Sequence, residues 1–217
     1  MNEATRPPIR ILLVDDHAVV RAGYRTLLHG APDIEVAAEA DSGETACREF
    51  ARVNPDVVVI DLSLPGMGGF EAIRRMVGRD SAARILVFSM HEDPVFVEQA
   101  LAAGARGYIT KSSAPEVLGQ AIRIVAGGGV HIDAEIAQRL AFKKSRGRDT
   151  PFQSLSTREF EIFCLLAEGL NAAEIARRLS LSAKTVANYS TQIKNKLEVD
   201  TLAEMARLAI RHGLVKA

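Results

Sequence analysis

The chain has 217 residues, 47% of them hydrophobic and 25% charged, which is ordinary globular composition with room for two domains. No run reaches 18 consecutive apolar residues, which excludes a membrane-spanning helix, and two distant cysteines, Cys47 and Cys164, exclude a disulfide framework or a cysteine-held metal and fit a reducing cytoplasm. The net charge is zero, but residues 1–130 carry 13 Lys+Arg and 17 Asp+Glu, against 14 and 10 in residues 131–217, so only the second half is expected to meet a polyanion.

Residues 1–10 are short and polar, with Pro7-Pro8, unlike a signal peptide. An apolar strand over residues 9–14 runs into Asp15-Asp16-His17, and a helical stripe with Val19, Val20, Tyr24, Leu27 and Leu28 follows. A strand over 34–38 and a helix over 43–53 lead to Val57-Val58-Val59-Ile60-Asp61. Four apolar residues without alternation predict a strand covered on both faces, hence a parallel sheet between two helix layers. Pro65-Gly66 breaks that strand and leaves Asp61 at its carboxyl end. A helix over 70–77, a strand over 84–88, a helix capped by Asp93-Pro94, a strand over 107–109 and a helix over 114–126 complete the pattern. The absence of hairpin signals makes this a flavodoxin-like (βα)₅ doubly wound parallel sheet.

The polar residues now collect at one edge. Asp15 and Asp16 end strand one, Asp61 ends strand three, Ser89 follows strand four and Lys111 follows strand five. Alone, an Asp-Asp pair reads as a helix N-terminus. With the five positions together, crowded carboxylates call for a hard divalent cation with oxygen ligands, such as Mg²⁺.

Residues 9–127 resemble the receiver domain of a two-component response regulator. The resemblance rests on Val14-Asp15-Asp16-His17, Ile60-Asp61-Leu62-Ser63-Leu64-Pro65-Gly66-Met67-Gly68-Gly69, Phe88-Ser89-Met90, Gly104-Ala105-Arg106-Gly107-Tyr108 and Lys111. It implies that Asp61 is the phosphoacceptor and that Asp15, Asp16, Asp61 and the Ser63 backbone carbonyl hold Mg²⁺. It further implies that Lys111 and Ser89 contact the phosphoryl group and that Tyr108 is the switch aromatic. A sensor histidine kinase is the implied partner. One departure is Ser112 after Lys111, where the commoner pattern has Pro.

Gly127-Gly128-Gly129 closes the first unit, expected over 1–129. Residues 130–152 read as a partly helical linker that holds the basic run Lys143-Lys144-Ser145-Arg146-Gly147-Arg148, either a solvated tether or a phosphate contact.

Residues 153–217 carry only helical signals. Ser156 to Glu159 forms a capping box with a Leu155–Phe160 staple, Asn171 and Glu174 cap a second helix, and Ser182 caps a third after the tight turn Ser180-Leu181-Ser182. With a fourth helix over 201–210, this is a small all-α four-helix domain built on a helix-turn-helix. The third helix has an apolar stripe of Val186, Ile193 and Leu197. Its opposite face, with Lys184, Thr185, Asn188, Tyr189, Thr191 and Gln192, suits a major groove of double-stranded DNA.

Residues 153–212 resemble the LuxR-type DNA-binding domain of the NarL/FixJ response regulators, through Leu155-Ser156-Thr157-Arg158-Glu159, Leu165-Leu166-Ala167-Glu168-Gly169-Leu170-Asn171, Glu174-Ile175-Ala176-Arg177-Arg178-Leu179 and Lys184-Thr185-Val186 with Ile193-Lys194-Asn195-Lys196-Leu197. The resemblance implies that Lys184, Ala187, Asn188 and Thr191 face the groove, with Tyr189 beside them, and that the fourth helix serves homodimerisation. Ala187 and Tyr189 depart from the Lys and His common there. The whole then reads as a phosphorylation-dependent, cytoplasmic transcription regulator, with no catalytic turnover beyond phosphoryl acceptance and slow autodephosphorylation. Two other readings stay open: a receiver whose output works through protein or RNA contacts, and an aspartate-nucleophile phosphatase, whose Asp-x-Asp on strand one is here Asp-Asp-His.

Overall fold

A computed structural model describes residues 7–113, 115–145 and 151–215. Strands β1 (Ile9–Val14), β2 (Ile34–Ala40), β3 (Val57–Ile60), β4 (Ile85–Ser89) and β5 (Gly107–Thr110) alternate with helices α1 (Ala18–His29), α2 (Gly43–Val53), α3 (Gly69–Arg79), α4 (Pro94–Ala103) and α5 (Pro115–Ala126). The sheet is parallel throughout, in the order β2-β1-β3-β4-β5-β6.

The sixth strand, β6 (His131–Ile132), differs from the five-strand expectation and pairs with β5 from within the stretch expected to be linker. Two residues are too few to show a strand pattern, and the pairing rests on backbone bonds from His131 N–H to Arg106 O and from Asp133 N–H to Tyr108 O. Helix α6 (Ala134–Ser145) follows in the same stretch. The Arg146-Gly147-Arg148 part of the basic run lies outside the described residues.

Burial on both faces explains the unbroken apolar strands. Ile11, Leu13, Val57 and Val59 pack with Leu118, Ala121, Ile122 and Val125 of α5. Leu12, Val14, Val58 and Ile60 pack on the other face with residues of α2, α3 and α4.

A 3₁₀ turn, Pro151–Ser154, leads into α7 (Thr157–Ala167), α8 (Ala172–Arg178), α9 (Ala183–Leu197) and α10 (Leu202–Arg211). The capping boxes at Ser156 and Asn171 form, and Ser182 caps α9. The α2–α4 core continues without a gap into this helical unit, through Phe152, Phe160, Ile162 and Phe163.

Candidate functional site

At the carboxyl edge of the sheet, Lys111 Nζ lies 2.6 Å from Asp15 Oδ2 and 2.6 Å from Asp61 Oδ2. All three side chains are nearly buried, at 9%, 4% and 5% exposure, so water screens little of this attraction. Burial opposes the Lys111 charge, but the hydrogen bonds to Asp15 and Asp61 outweigh it and raise the Lys111 pKa.

The backbone holds each carboxylate in place. Asp61 Oδ1 accepts from Leu62 N–H at 2.6 Å and Ser63 N–H at 3.3 Å, and Asp61 N–H donates to Val14 O at 3.0 Å. Asp15 Oδ1 accepts from His17 N–H at 2.9 Å, and the Arg21 guanidinium donates to Asp15 O at 2.6 Å. Gly69 sits so close beneath this loop that a Cβ there would lie 2.3 Å from Asp61 O and 2.6 Å from Leu62 Cα. Gly69→Ala is therefore expected to push the Asp61 loop out of place, lower the melting temperature by several degrees, and abolish binding of a beryllium fluoride phosphomimetic; unaltered binding would show that the loop yields freely.

The structure brings Asp15, Asp61 and Lys111 into direct contact, with Asp16 at the rim. Oxygen Oδ1 of Asp16 is buried without a hydrogen-bond partner. His17 Nδ1 is 2.7 Å from it, an electrostatic contact that does not meet hydrogen-bond geometry. Ligand atoms of Asp15, Asp16 and His17 lie within 4.8 Å of one another, an involvement of His17 that the strand-end pattern did not reveal.

Ser89 is fully buried, and its Oγ accepts from His91 N–H at 3.4 Å. Tyr108 is fully buried as well, rather than wet at its hydroxyl as a lone strand aromatic would be, and its hydroxyl donates to His91 O at 2.7 Å. Burial raises its pKa well above the usual phenol range. Lys111 and Ser112 are joined by a trans bond, and hydroxyls occupy the place of the common Pro: Thr110 Oγ1 lies 2.9 Å from Ser112 Oγ and 2.8 Å from Ser113 Oγ.

On α9, Lys184, Ala187, Asn188 and Thr191 are exposed, while Thr185 and Tyr189 are half-buried. Thr185 spends its backbone N–H and hydroxyl on the Ser182 cap, and Thr191 Oγ1 donates to Ala187 O at 3.1 Å. Lys196 pairs with Glu159 of α7 at 2.6 Å and serves the fold.

The receiver-like half does not cover this face; it holds α7 and the end of α8. Gly66 has φ +69°, and its N–H donates to Arg178 O at 2.6 Å. Phe160 of α7 meets Phe96 and Phe70 edge-on, with centroids 5.2 and 6.2 Å apart. The Glu161 carboxylate lies against Gly68, so a side chain added there would make Glu161 shift aside. None of these contacts was visible in sequence, although three glycines in Gly66-Met67-Gly68-Gly69 signal a close approach.

Residues 11–123 match the response regulator receiver domain, and residues 153–209 match the bacterial regulatory proteins of the luxR family. The chain is a two-component response regulator of the NarL/FixJ family. This response regulator is 40% identical to the response regulator UvrY of Escherichia coli over 212 residues, covering 96% of this chain and 97% of that one. It is 38% identical over 211 residues to the response regulator GacA of Pseudomonas aeruginosa, covering 96% and 99%. A solved structure of RcsB from Salmonella enterica serovar Typhimurium, bound to a promoter with a beryllium fluoride phosphomimetic, superposes with a TM-score of 0.69 at 25% identity, covering 92% of this chain and 97% of that one. Response regulators of this family are transcription factors rather than enzymes in the usual sense. No helix among the described residues is long and apolar enough to cross a membrane.

Proposed function

We propose that Asp61 accepts a phosphoryl group from a phosphohistidine of a sensor kinase, and that this acceptance changes dimerisation and DNA binding. The observation that supports it is the Lys111 ammonium wedged between two buried carboxylates at the sheet edge. In the transfer, the P–N bond to the kinase histidine breaks, an Asp61 oxygen forms the new P–O bond, and the imidazole leaves as a neutral ring after taking a proton. Lys111 stays near the equatorial oxygens and opposes their charge, while Ser89 donates its hydroxyl to one of them.

The donor set fits a magnesium ion. Three carboxylates and one ammonium carry a surplus of two negative charges, and buried Asp16 Oδ1 lacks a donor. Asp15, Asp16, Asp61 and the Ser63 carbonyl would hold the ion, which supplies positive charge against the phosphoryl oxygens when bound. Slow autodephosphorylation of Asp61 is expected to follow, which times the signal. Cys47 and Cys164 are free thiols and fit a cytoplasmic protein.

The test is DNA affinity and molar mass, by anisotropy and light scattering, with and without the beryllium fluoride phosphomimetic. A shift to dimer together with tighter DNA binding is expected; no change in either overturns the reading. Exposed Leu202 and Ile210 support α10 as a dimer surface in the output domain. DNA affinity should fall steeply with salt, and Lys184→Ala should reduce the slope of log K against log salt by about 1 if Lys184 meets a phosphate. An unaltered slope and affinity would remove Lys184 from the interface.

A further inference from the structure

We infer that His91 is the positioning residue that joins the phosphoacceptor site to the docked DNA-binding domain. The inference rests on the phosphoacceptor reading of Asp61 and supplies the route by which its charge reaches α7.

His91 is gripped from two directions. On the site side, its N–H donates to Ser89 Oγ at 3.4 Å, its carbonyl accepts from the Tyr108 hydroxyl at 2.7 Å, and its Nε2 lies 3.2 Å from Ser63 Oγ. Each of those three partners belongs to the reacting centre or its switch. On the domain side, the imidazole stacks flat on Phe96 of α4, with centroids 3.9 Å apart and planes 8° from parallel. Phe96 in turn meets Phe160 of α7 edge-on at 5.2 Å. Ser63, His91, Phe96 and Glu161 also line one shared cleft. Burial lowers the His91 pKa, which keeps the ring neutral and suited to stacking on an apolar partner.

The physical consequence is direct. A phosphoryl group on Asp61 offers the Ser89 hydroxyl a charged acceptor, and a turn of the Ser89 side chain toward it carries Oγ away from the His91 N–H, which it now accepts from at a long 3.4 Å. When the Ser89 hydroxyl turns toward it, the β4–α4 turn loses one of its anchors and the imidazole loses its fixed place over Phe96. Phe96 then no longer presents a set edge to Phe160, and α7 is released together with the Gly66–Arg178 bond. In reverse, docking of α7 holds Phe96, Phe96 holds His91, and His91 holds Ser89 away from the phosphoryl position.

The experiment uses the full chain, with the Gly66 amide as reporter, because its proton is held by Arg178 O only when the domains are docked. Hydrogen exchange at Gly66 and the radius of gyration of the monomer are measured with and without beryllium fluoride for wild type, His91→Ala and His91→Phe. Binding of the phosphomimetic is followed separately by fluorine resonance. In wild type, the phosphomimetic should speed Gly66 exchange by about tenfold or more, within the usual range for coupled sites, and expand the chain. His91→Ala should bind the phosphomimetic more tightly than wild type, by up to the factor lost from docking, and should exchange at the released rate in both states. His91→Phe, which keeps a flat ring over Phe96, should restore protection in the unliganded state. The inference is overturned if His91→Ala is protected and released like wild type, or if the wild type binds the phosphomimetic without release; in the second case the phosphoacceptor reading still stands. A wild type that binds no phosphomimetic would overturn that reading and this inference with it.

Discussion

Asp61→Asn is expected to lower phosphoryl acceptance by at least about a thousandfold, as removal of a covalent nucleophile does. An amide oxygen is a poor nucleophile and carries no charge to draw a cation. The fold should hardly notice. An amide oxygen still accepts from the Leu62 and Ser63 N–H groups that Asp61 Oδ1 now engages, and Asp15 still pairs with Lys111 at 2.6 Å. The melting temperature should therefore stay within a few degrees of wild type, while a phosphate-affinity gel shows no shifted band and DNA affinity stays at its unstimulated value. Phosphorylation at the wild-type rate would place the acceptor at another residue.

The second large effect is on stability. Phe160 is fully buried, with Phe70 and Phe96 on one side and Phe152 and Phe163 on the other, at centroid distances of 5.2 to 6.5 Å. Phe160→Ala should cost roughly 3–5 kcal/mol, from lost burial and the cavity left behind. That is a large share of the 5–15 kcal/mol typical of a domain. The loss should fall mostly on the helical unit, where Phe160 fixes α7, and it should also undo docking, since the same ring meets α3 and α4. Urea unfolding followed by circular dichroism should show a lowered midpoint for the helical unit; an unchanged midpoint would mean that the neighbouring rings close the gap.

Most of the fold is readable along the chain because its signals are local. An apolar run ending in Asp61, the capping pairs at Ser156 and Asn171, and the tight turn before Ser182 each concern residues a few positions apart. Asp15, Asp16, Asp61, Ser89 and Lys111 gather at one edge through topology alone, since a parallel sheet brings every strand end to the same side. His91 escaped that logic. It belongs to a loop, and its partners Ser63 and Tyr108 lie 28 and 17 residues away with no period linking them. β6 escaped because two residues cannot display an alternation. The contacts of Gly66 and Gly68 with Arg178 and Glu161 join surfaces that are each polar, and polarity in sequence reads as solvent.

The manner in which α6 is tied down sets the strength that docking needs. β6 anchors the start of the connection to the sheet, and only residues 146–150 separate the end of α6 from Pro151. At no more than about 3.6 Å per residue, the helical unit cannot travel far once released. Its effective concentration near the Gly66–Phe96 surface is then on the order of millimolar, so docking contacts match the undocked state at an intrinsic free energy of only roughly 4 kcal/mol, and anything beyond that favours the docked chain. A margin of that kind can be tipped by one doubly charged group, and a longer connection would lower the effective concentration and weaken docking without any signal.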